Sequence, residues 1–239
     1  RRLPLAKWLT SKENEFFTRN VVNRYMAYCF GRGLVDPIDD MRATNPPSNP
    51  ALMEALVKEF RASNYNLKQL LRLMLNSRLY QLESQPTPQN ASDSRFYSSF
   101  KVKRLSAEVL LDNIDASTGS NTKYTNLPAG TRAIELPDGN YPVYFLTTFG
   151  KPKRVTVCEC ERVPDENLSQ ALHTLNGDTL ANKVAFESGR IARLVSGKKP
   201  HEEIVTELYL AALCRFPSAP ELEASHKFLA ESPTPSEYY

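Results

Sequence analysis

Apolar residues recur at helical spacing through most of this chain. Phe17, Val21, Val22, Tyr25, Met26, Cys29 and Phe30 fall three and four positions apart, so one helix would carry them on a single stripe, with Asn23 and Arg24 off it. Gly31-Arg32-Gly33 stops that helix. A loop over 34–47 follows, in which Asp36, Asp39 and Asp40 cluster and which Pro46-Pro47 closes. Ser48 is placed to cap the next helix, with Pro50 in its first turn and Leu52, Ala55, Leu56 and Phe60 inward. Asn66 is placed to cap another, on which Leu67, Leu70, Leu71, Met74 and Leu75 make a buried face.

Positions 85–93 are polar and carry Pro86, Pro88 and Asn90, so 85–103 reads as a loop connecting a helical lobe at 1–84 to a second at 104–239. Ser106 is placed to cap a helix running to about 117. From 119 to 163 the period changes. Glycine and proline punctuate short β-prone pieces at 132–136, 143–148 and 155–160, the one part of the chain where strands are expected. Helical spacing then resumes at about 168–175, 179–194, 200–214 and 218–230, the last opened by the capping box Ser218-x-x-Glu221. The fold expected is mainly α and multi-helical, in two helical lobes with a small β insertion at about 119–163.

Composition adds bounds. At 239 residues, with 41% hydrophobic and 24% charged residues, the chain is long enough to bury a sizeable core. Thirty basic against 27 acidic residues leave a net charge of +3, too weak a field to recruit nucleic acid or an anionic membrane. The basic runs Lys151–Arg154 and Lys198-Lys199 read as solvated turns. No apolar run approaches the roughly 18 residues of a membrane span. The opening Arg1-Arg2-Leu3-Pro4 leads straight into an amphipathic stretch without a signal peptide, as expected of a domain cut from something longer. Four cysteines are too few for a disulfide scaffold at this length.

Candidate chemistry concentrates in Cys158-Glu159-Cys160-Glu161-Arg162. In an extended segment Cys158 and Cys160 share a face, their Cα atoms roughly 6.6–6.8 Å apart. A bridge between them would be strained, whereas two thiolates on one face are placed to chelate zinc or copper. Pairing with another cysteine, or simple burial, are the other readings. Glu159 and Glu161 beside Arg162 fit an acid/base pair with an anion-holding guanidinium, or an ionic brace. Asp39 and Asp40 carry the same two readings, catalytic carboxylates or partners of Arg24 and Arg42. Together with Asp36 they would suit a hard cation, although the EF-hand pattern is absent. Arg24, Arg104, Arg162 and His173 are the candidate binding residues, and His173 also reads as a hydrogen-bonded core histidine. No nucleophile elbow, phosphate loop, dinucleotide glycine motif, haem-attachment motif or zinc-protease helix is present.

Several motifs in order carry a family resemblance. They are Leu5-Ala6-Lys7-Trp8-Leu9, Val22-Asn23-Arg24, Phe30-Gly31-Arg32-Gly33-Leu34-Val35, Asp39-Asp40 and Pro47-Ser48-Asn49-Pro50. Leu75-Asn76-Ser77-Arg78-Leu79-Tyr80-Gln81, Arg104-Leu105-Ser106-Ala107-Glu108, the Cys-Glu-Cys-Glu-Arg run, 170–177 and Leu208-Tyr209-Leu210-Ala211-Ala212-Leu213-x-Arg215-x-Pro217 complete the set. Across nearly its whole length the chain resembles the planctomycete-type domain of unknown function (DUF1553, PSD family) at the C-terminal end of large exported proteins. The resemblance implies an exported, periplasmic or cell-surface setting. It implies upstream domains as partners, among them a cytochrome-c-like domain that would hold haem, with no cofactor in this chain. It supplies no reaction. The leading expectation is an interaction module for protein or surface glycan. The alternatives are a polysaccharide-acting hydrolase or lyase using Asp39, Asp40, Glu159 or Glu161, and a metal or redox partner acting through Cys158 and Cys160.

Overall fold

The computed structural model describes residues 2–139, 141–153, 155, 170–173 and 177–231. Cys158, Glu159, Cys160, Glu161 and Arg162 lie outside the described residues, so the readings placed on that run stay expectations. The protein is mainly helical, and no described residue belongs to a strand. The chain divides into two compact units after Lys103.

The first unit holds α1 (Arg2–Leu9), α2 (Glu15–Phe30), α3 (Pro50–Ala62) and α4 (Leu67–Leu75). Asn14 caps α2 through its side-chain oxygen, which accepts from the Phe17 amide at 3.0 Å. Gly31 ends the helix in the left-handed region, its N–H donating to the Ala27 carbonyl. Much of the stripe read from the sequence faces inward: Val22, Met26 and Phe30 of α2 meet Met53, Val57 and Phe60 of α3 and Leu70 and Met74 of α4. Each such side chain contributes about 1.5–3 kcal/mol on leaving water. Phe17, Ala55, Leu67 and Leu75 are exposed instead, and Met53 and Val57 take inward positions on α3. The cap of α3 is Asn49 rather than Ser48, its oxygen accepting from the Leu52 amide at 3.0 Å. Pro50, locked at a helical φ, takes the first helical position, so the residue before it becomes the cap. Asn66 caps α4, accepting from the Gln69 amide at 3.2 Å.

The connecting stretch 85–103 belongs by its contacts to this first unit. The Tyr97 hydroxyl donates to the Arg32 carbonyl at 3.0 Å, and Phe100 stands edge-on to Tyr80 with ring centres 5.5 Å apart. The Lys103 ammonium donates to the carbonyls of Tyr28 and Cys29. A cation there satisfies carbonyls that the end of α2 leaves without helical partners.

In the second unit α5 (Ala107–Thr118) is the central element. Around it lie a 3-10 turn (Ala133–Glu135), α6 (Tyr144–Thr148), α7 (Asp178–Val184), α8 (Arg190–Ser196) and α9 (His201–Leu213). α10 (Ala219–Glu231) packs on α9. Ser106 occupies the N-cap position of α5 but makes no side-chain capping bond.

The β insertion expected at 119–163 is not seen among the described residues. The piece at 132–136 forms the 3-10 turn and the piece at 143–148 forms α6; of 155–160 only Val155 is described. The reason lies in two adjacent side chains. Phe145 and Leu146 are both buried against Ala107 and Leu111. Successive residues of a strand point to opposite faces, whereas a helical turn turns both toward α5.

The long helix expected at 179–194 is also broken, into α7 and α8. A turn separates them, closed by the Gly189 amide donating to the Phe186 carbonyl at 2.7 Å and by the Arg193 guanidinium donating to the Ser188 carbonyl at 2.8 Å. The capping box before α10 forms on its acidic side: Glu221 accepts from the Ser218 amide at 2.8 Å and pairs with Arg215.

Candidate functional site

The acidic loop of the first unit is built on Asn23, which is fully buried although it lies off the apolar stripe of α2. Its amide nitrogen donates to the carbonyls of Val35 and Ile38 at 2.8 and 3.0 Å, and its oxygen accepts from the Val35 amide at 2.8 Å. One neutral side chain thus supplies the backbone of 35–38 with partners that a buried loop otherwise lacks. Gly33 makes room for it. A Cβ at position 33 would stand 2.6 Å from the Asn23 oxygen and 2.6 Å from the Val35 carbonyl oxygen.

The loop presents Asp39 and Asp40, and each is taken by a different arginine. Asp39 pairs with Arg24, whose Nε also donates to Asn20. Asp40 accepts both arms of the Arg42 guanidinium at 2.6 Å. The hydrogen bonds from Arg42 hold the Asp40 carboxyl below its ordinary range, and Asp40 in turn raises Arg42. Asn45 closes the loop by donating to the carbonyls of Asp36 and Asp40. Among the described residues no group of three or more His, Cys, Asp or Glu side chains is placed to hold a metal ion.

Arg104 and His173, the other two described candidates, belong to the second unit. Arg104 donates to the Gln170 side-chain oxygen at 2.9 Å, and the Gln170 amide donates to the Thr148 carbonyl at 3.1 Å, tying the start of the unit to the end of α6. His173 sits among three rings, Tyr144, Phe145 and Phe149, with centres 5.5, 5.6 and 6.0 Å from its own. Its Nε2 is hydrogen-bonded to the Thr179 hydroxyl at 3.2 Å. A Cβ at Gly177 would stand 2.1 Å from the His173 carbonyl oxygen, so the close approach of these two residues depends on the absence of a side chain.

Two further groups of side chains escaped the sequence reading. The first is an ion pair, Asp115 with Lys183, whose side chains keep only 14% and 11% of their exposure. Lys183 also donates to the Thr122 hydroxyl at 2.8 Å, and Asp115 accepts from the Thr122 amide and the Ser120 hydroxyl. A lysine on a short helix sixty-eight positions from its aspartate leaves no local trace.

The second is a cleft of about 210 Å³ lined by Ser106 and Glu108 at the start of α5, Ala133, Ile134 and Leu136, Asp138 and Gly139, and Lys151 with Pro152. Asp112 pins one wall, accepting from the Ala133 and Ile134 amides at 2.6 and 3.2 Å. Lys151 pins another, donating to the carbonyls of Asp138 and Gly139 at 3.1 and 3.2 Å. Lys151 is therefore a structural donor at the rim of a cleft and not part of a solvated turn. The Ser106-x-Glu108 pair at a helix start was the one available signal for this site.

These observations define a mainly helical protein in two compact units, in which Asn23, Gly33, Arg24 and Arg42 hold the acidic loop of the first. A protein-family model matches residues 1–229, that of PSD1, described as a protein of unknown function (DUF1553). The chain belongs to this family. No curated protein and no solved structure matches it. None of the helices among the described residues is long and apolar enough to cross a membrane.

Proposed function

We propose that the chain is a non-catalytic interaction module of an exported, haem-associated multidomain protein, docking on neighbouring domains of its own polypeptide or on a surface glycan. One observation supports this over a hydrolase: Asp39 and Asp40 are each committed to an arginine that braces the loop carrying them. A carboxylate held below its ordinary range by a two-armed guanidinium is a poor proton donor, whereas glycoside hydrolysis needs one acid raised and protonated. The exported setting and the haem-bearing neighbour follow the family resemblance. Glu159, Glu161, Cys158 and Cys160 lie outside the described residues and add nothing to either side.

The test is a panel of polysaccharides incubated with the purified chain. A module retains or retards some of them, or binds the remaining portion of its own polypeptide in calorimetry, and releases no new reducing ends. Release of reducing ends that disappears in Asp39→Asn or Asp40→Asn would overturn the reading.

A further inference from the structure

We propose that the loop 89–98 of the first unit binds a uronate ring of an acidic polysaccharide, with the sugar carboxylate on Arg95 and a C–H face of the ring on Phe96. The inference rests on reading the chain as a binding module, and it names the ligand class and the site.

The loop folds into an open cup of about 480 Å³, within the roughly 300–1,000 Å³ of small-ligand sites. Asp93 sets its shape. Its carboxylate accepts from the amides of Arg95, Phe96 and Ser98 at 2.8, 2.7 and 2.9 Å, so it is engaged by the loop itself. Asn90 closes the other side, its side-chain nitrogen donating to the Ser98 carbonyl at 3.1 Å while its oxygen accepts from the Thr87 amide at 2.7 Å. Tyr97 ties the loop to the core: its hydroxyl donates to the Arg32 carbonyl, and its ring stands edge-on to buried Phe30 with centres 6.3 Å apart. A site held in this way needs little ordering and loses less affinity on binding.

The side chains that the loop does not use select the ligand. Phe96 keeps 67% of its surface exposed, and the Arg95 guanidinium lies over its ring, 5.7 Å from the centre. That contact steadies a planar fork beside a flat apolar group. Among the described residues no hydrogen bond or ion pair holds the side chains of Gln89, Ser92, Ser94 or Arg95. A carboxylate matches the guanidinium with two parallel bonds. A pyranose offers a C–H face to the aromatic ring, and its hydroxyls donate to and accept from the serines and the Gln89 amide. A uronate carries all of these on one sugar residue.

Competitors match only part of the lining. A neutral sugar leaves the guanidinium unused, and inorganic phosphate leaves the exposed ring unused. An acidic peptide brings several carboxylates, whereas the described lining holds one cation, Arg95, beside the carboxylate of Asp93. Because the cup is open, neighbouring sugar residues can continue past it in both directions.

The experiment is saturation-transfer NMR on the whole chain with methyl glucuronide, methyl galacturonide, methyl glucoside and a blocked diglutamate peptide. Inorganic phosphate enters as a competitor. At least one uronide should receive saturation, most strongly at its ring C–H protons. Methyl glucoside should bind about tenfold more weakly, the loss of one hydrogen bond to a charged group. Arg95→Gln should bring the uronide down to the glucoside level, Arg95→Lys should recover part of the loss, and Phe96→Ala should weaken both sugars. Both side chains are exposed, so the variants should keep the wild-type circular dichroism spectrum. No transfer to either uronide, equal affinity for uronide and glucoside, or uronide binding unchanged in Arg95→Gln would overturn the site. Tighter binding of the peptide, or displacement of the uronide by an equal concentration of phosphate, would overturn the ligand class. Digalacturonide separates this result from the broader reading. Binding without cleavage upholds both. Cleavage keeps the cup and overturns the module. Failure to bind removes the cup and leaves the module to be decided by its own polysaccharide and domain-association test.

Discussion

The two units solve the same packing problem with different materials. The first closes over a large apolar cluster in which long side chains from three helices interdigitate, and its buried polar side chains, Asn14, Thr18 and the hub Asn23, are neutral. The second gathers a smaller cluster around α5 and supplements it with ionisable groups: Asp115 with Lys183, Arg104 on Gln170, and Arg190 donating to the carbonyls of Ala116 and Ser117 while paired with Glu207. A neutral hub needs only matched donors and acceptors, whereas a low-exposure ion pair must also offset the cost of taking charge out of water. The first unit should therefore be the more sensitive to loss of a matched neutral partner at its hub, and the second to the removal of a single charge.

The hardest test of the first half is Asn23→Ala. It strands the Val35 amide and the carbonyls of Val35 and Ile38. At about 1–3 kcal/mol for each stranded group, the expected loss is on the order of 3–5 kcal/mol. Urea unfolding followed by circular dichroism measures it, and hydrogen exchange in peptides covering 20–60 should show the damage confined to the first unit. A loss under about 1 kcal/mol, the worth of a single ordinary hydrogen bond, would show that Asn23 is not the hub.

Lys183→Met tests the second half. Removing the ammonium leaves Asp115 with the Thr122 amide and the Ser120 hydroxyl alone, at about 3 kcal/mol, the low end for a buried pair because some exposure remains. The double variant Asp115→Asn/Lys183→Met should recover most of that loss, since it removes the stranded charge while leaving an amide oxygen to accept from the Thr122 amide. A double variant no more stable than the single one would mean that the stranded charge is not the source of the loss and that the contrast between the units has been drawn too sharply.

Gly33→Ala is expected to lose about 1–3 kcal/mol, the usual range for overpacking. In the Asn23→Ala background the loss should shrink, because the clash is with the Asn23 side chain as well as the backbone. Equal losses in the two backgrounds would place the clash wholly on the Val35 carbonyl.

The smallest effect concerns pH. His201 on α9 lies 4.7 Å from the His226 ring of α10, with its Nε2 bonded to the Ser225 hydroxyl, and Glu202 pairs with His226. Burial first and the neighbouring His226 second hold the His201 pKa below its ordinary 6.5, with Glu202 opposing them. A depressed histidine pKa means that the unfolded chain binds the proton more readily. The stabilisation is therefore complete above pH 6.5 and is lost as pH falls below it. A slight fall in the melting temperature of the second unit between pH 7 and 5, absent in His201→Gln, is the expected outcome; a rise would contradict the assignment.

The helices of the first unit were legible because their apolar stripes are amphipathic and Asn66 marks the start of α4, whereas the start of α3 was read one residue early, at Ser48 instead of Asn49, and the Asn14 cap of α2 was not read. The second unit was less so. Its elements are short, Phe145 and Leu146 sit in a segment of β-branched and aromatic residues, and only their shared contact with α5 decides for helix. Of the candidate site residues, Asp39, Asp40 and Arg24 could be placed together from sequence because their partners lie within fifteen positions. Asn23 was passed over because a polar residue off the stripe ordinarily faces water, and here a folded-back loop covers it. Lys151 and Lys183 reach groups that sequence spacing cannot relate to them.

The meeting of Gly33 with Asn23 has a consequence for descent. A hydrogen atom at position 33 is what allows a full amide at position 23, and the amide is what holds 35–38 in place. The two positions are separated by a helix end and a turn, yet their close approach couples them, so substitutions at one should not be independent of the other. A side chain at 33 would press on both the amide at 23 and the Val35 carbonyl, so it is expected where the amide is lost and the loop is held by other partners.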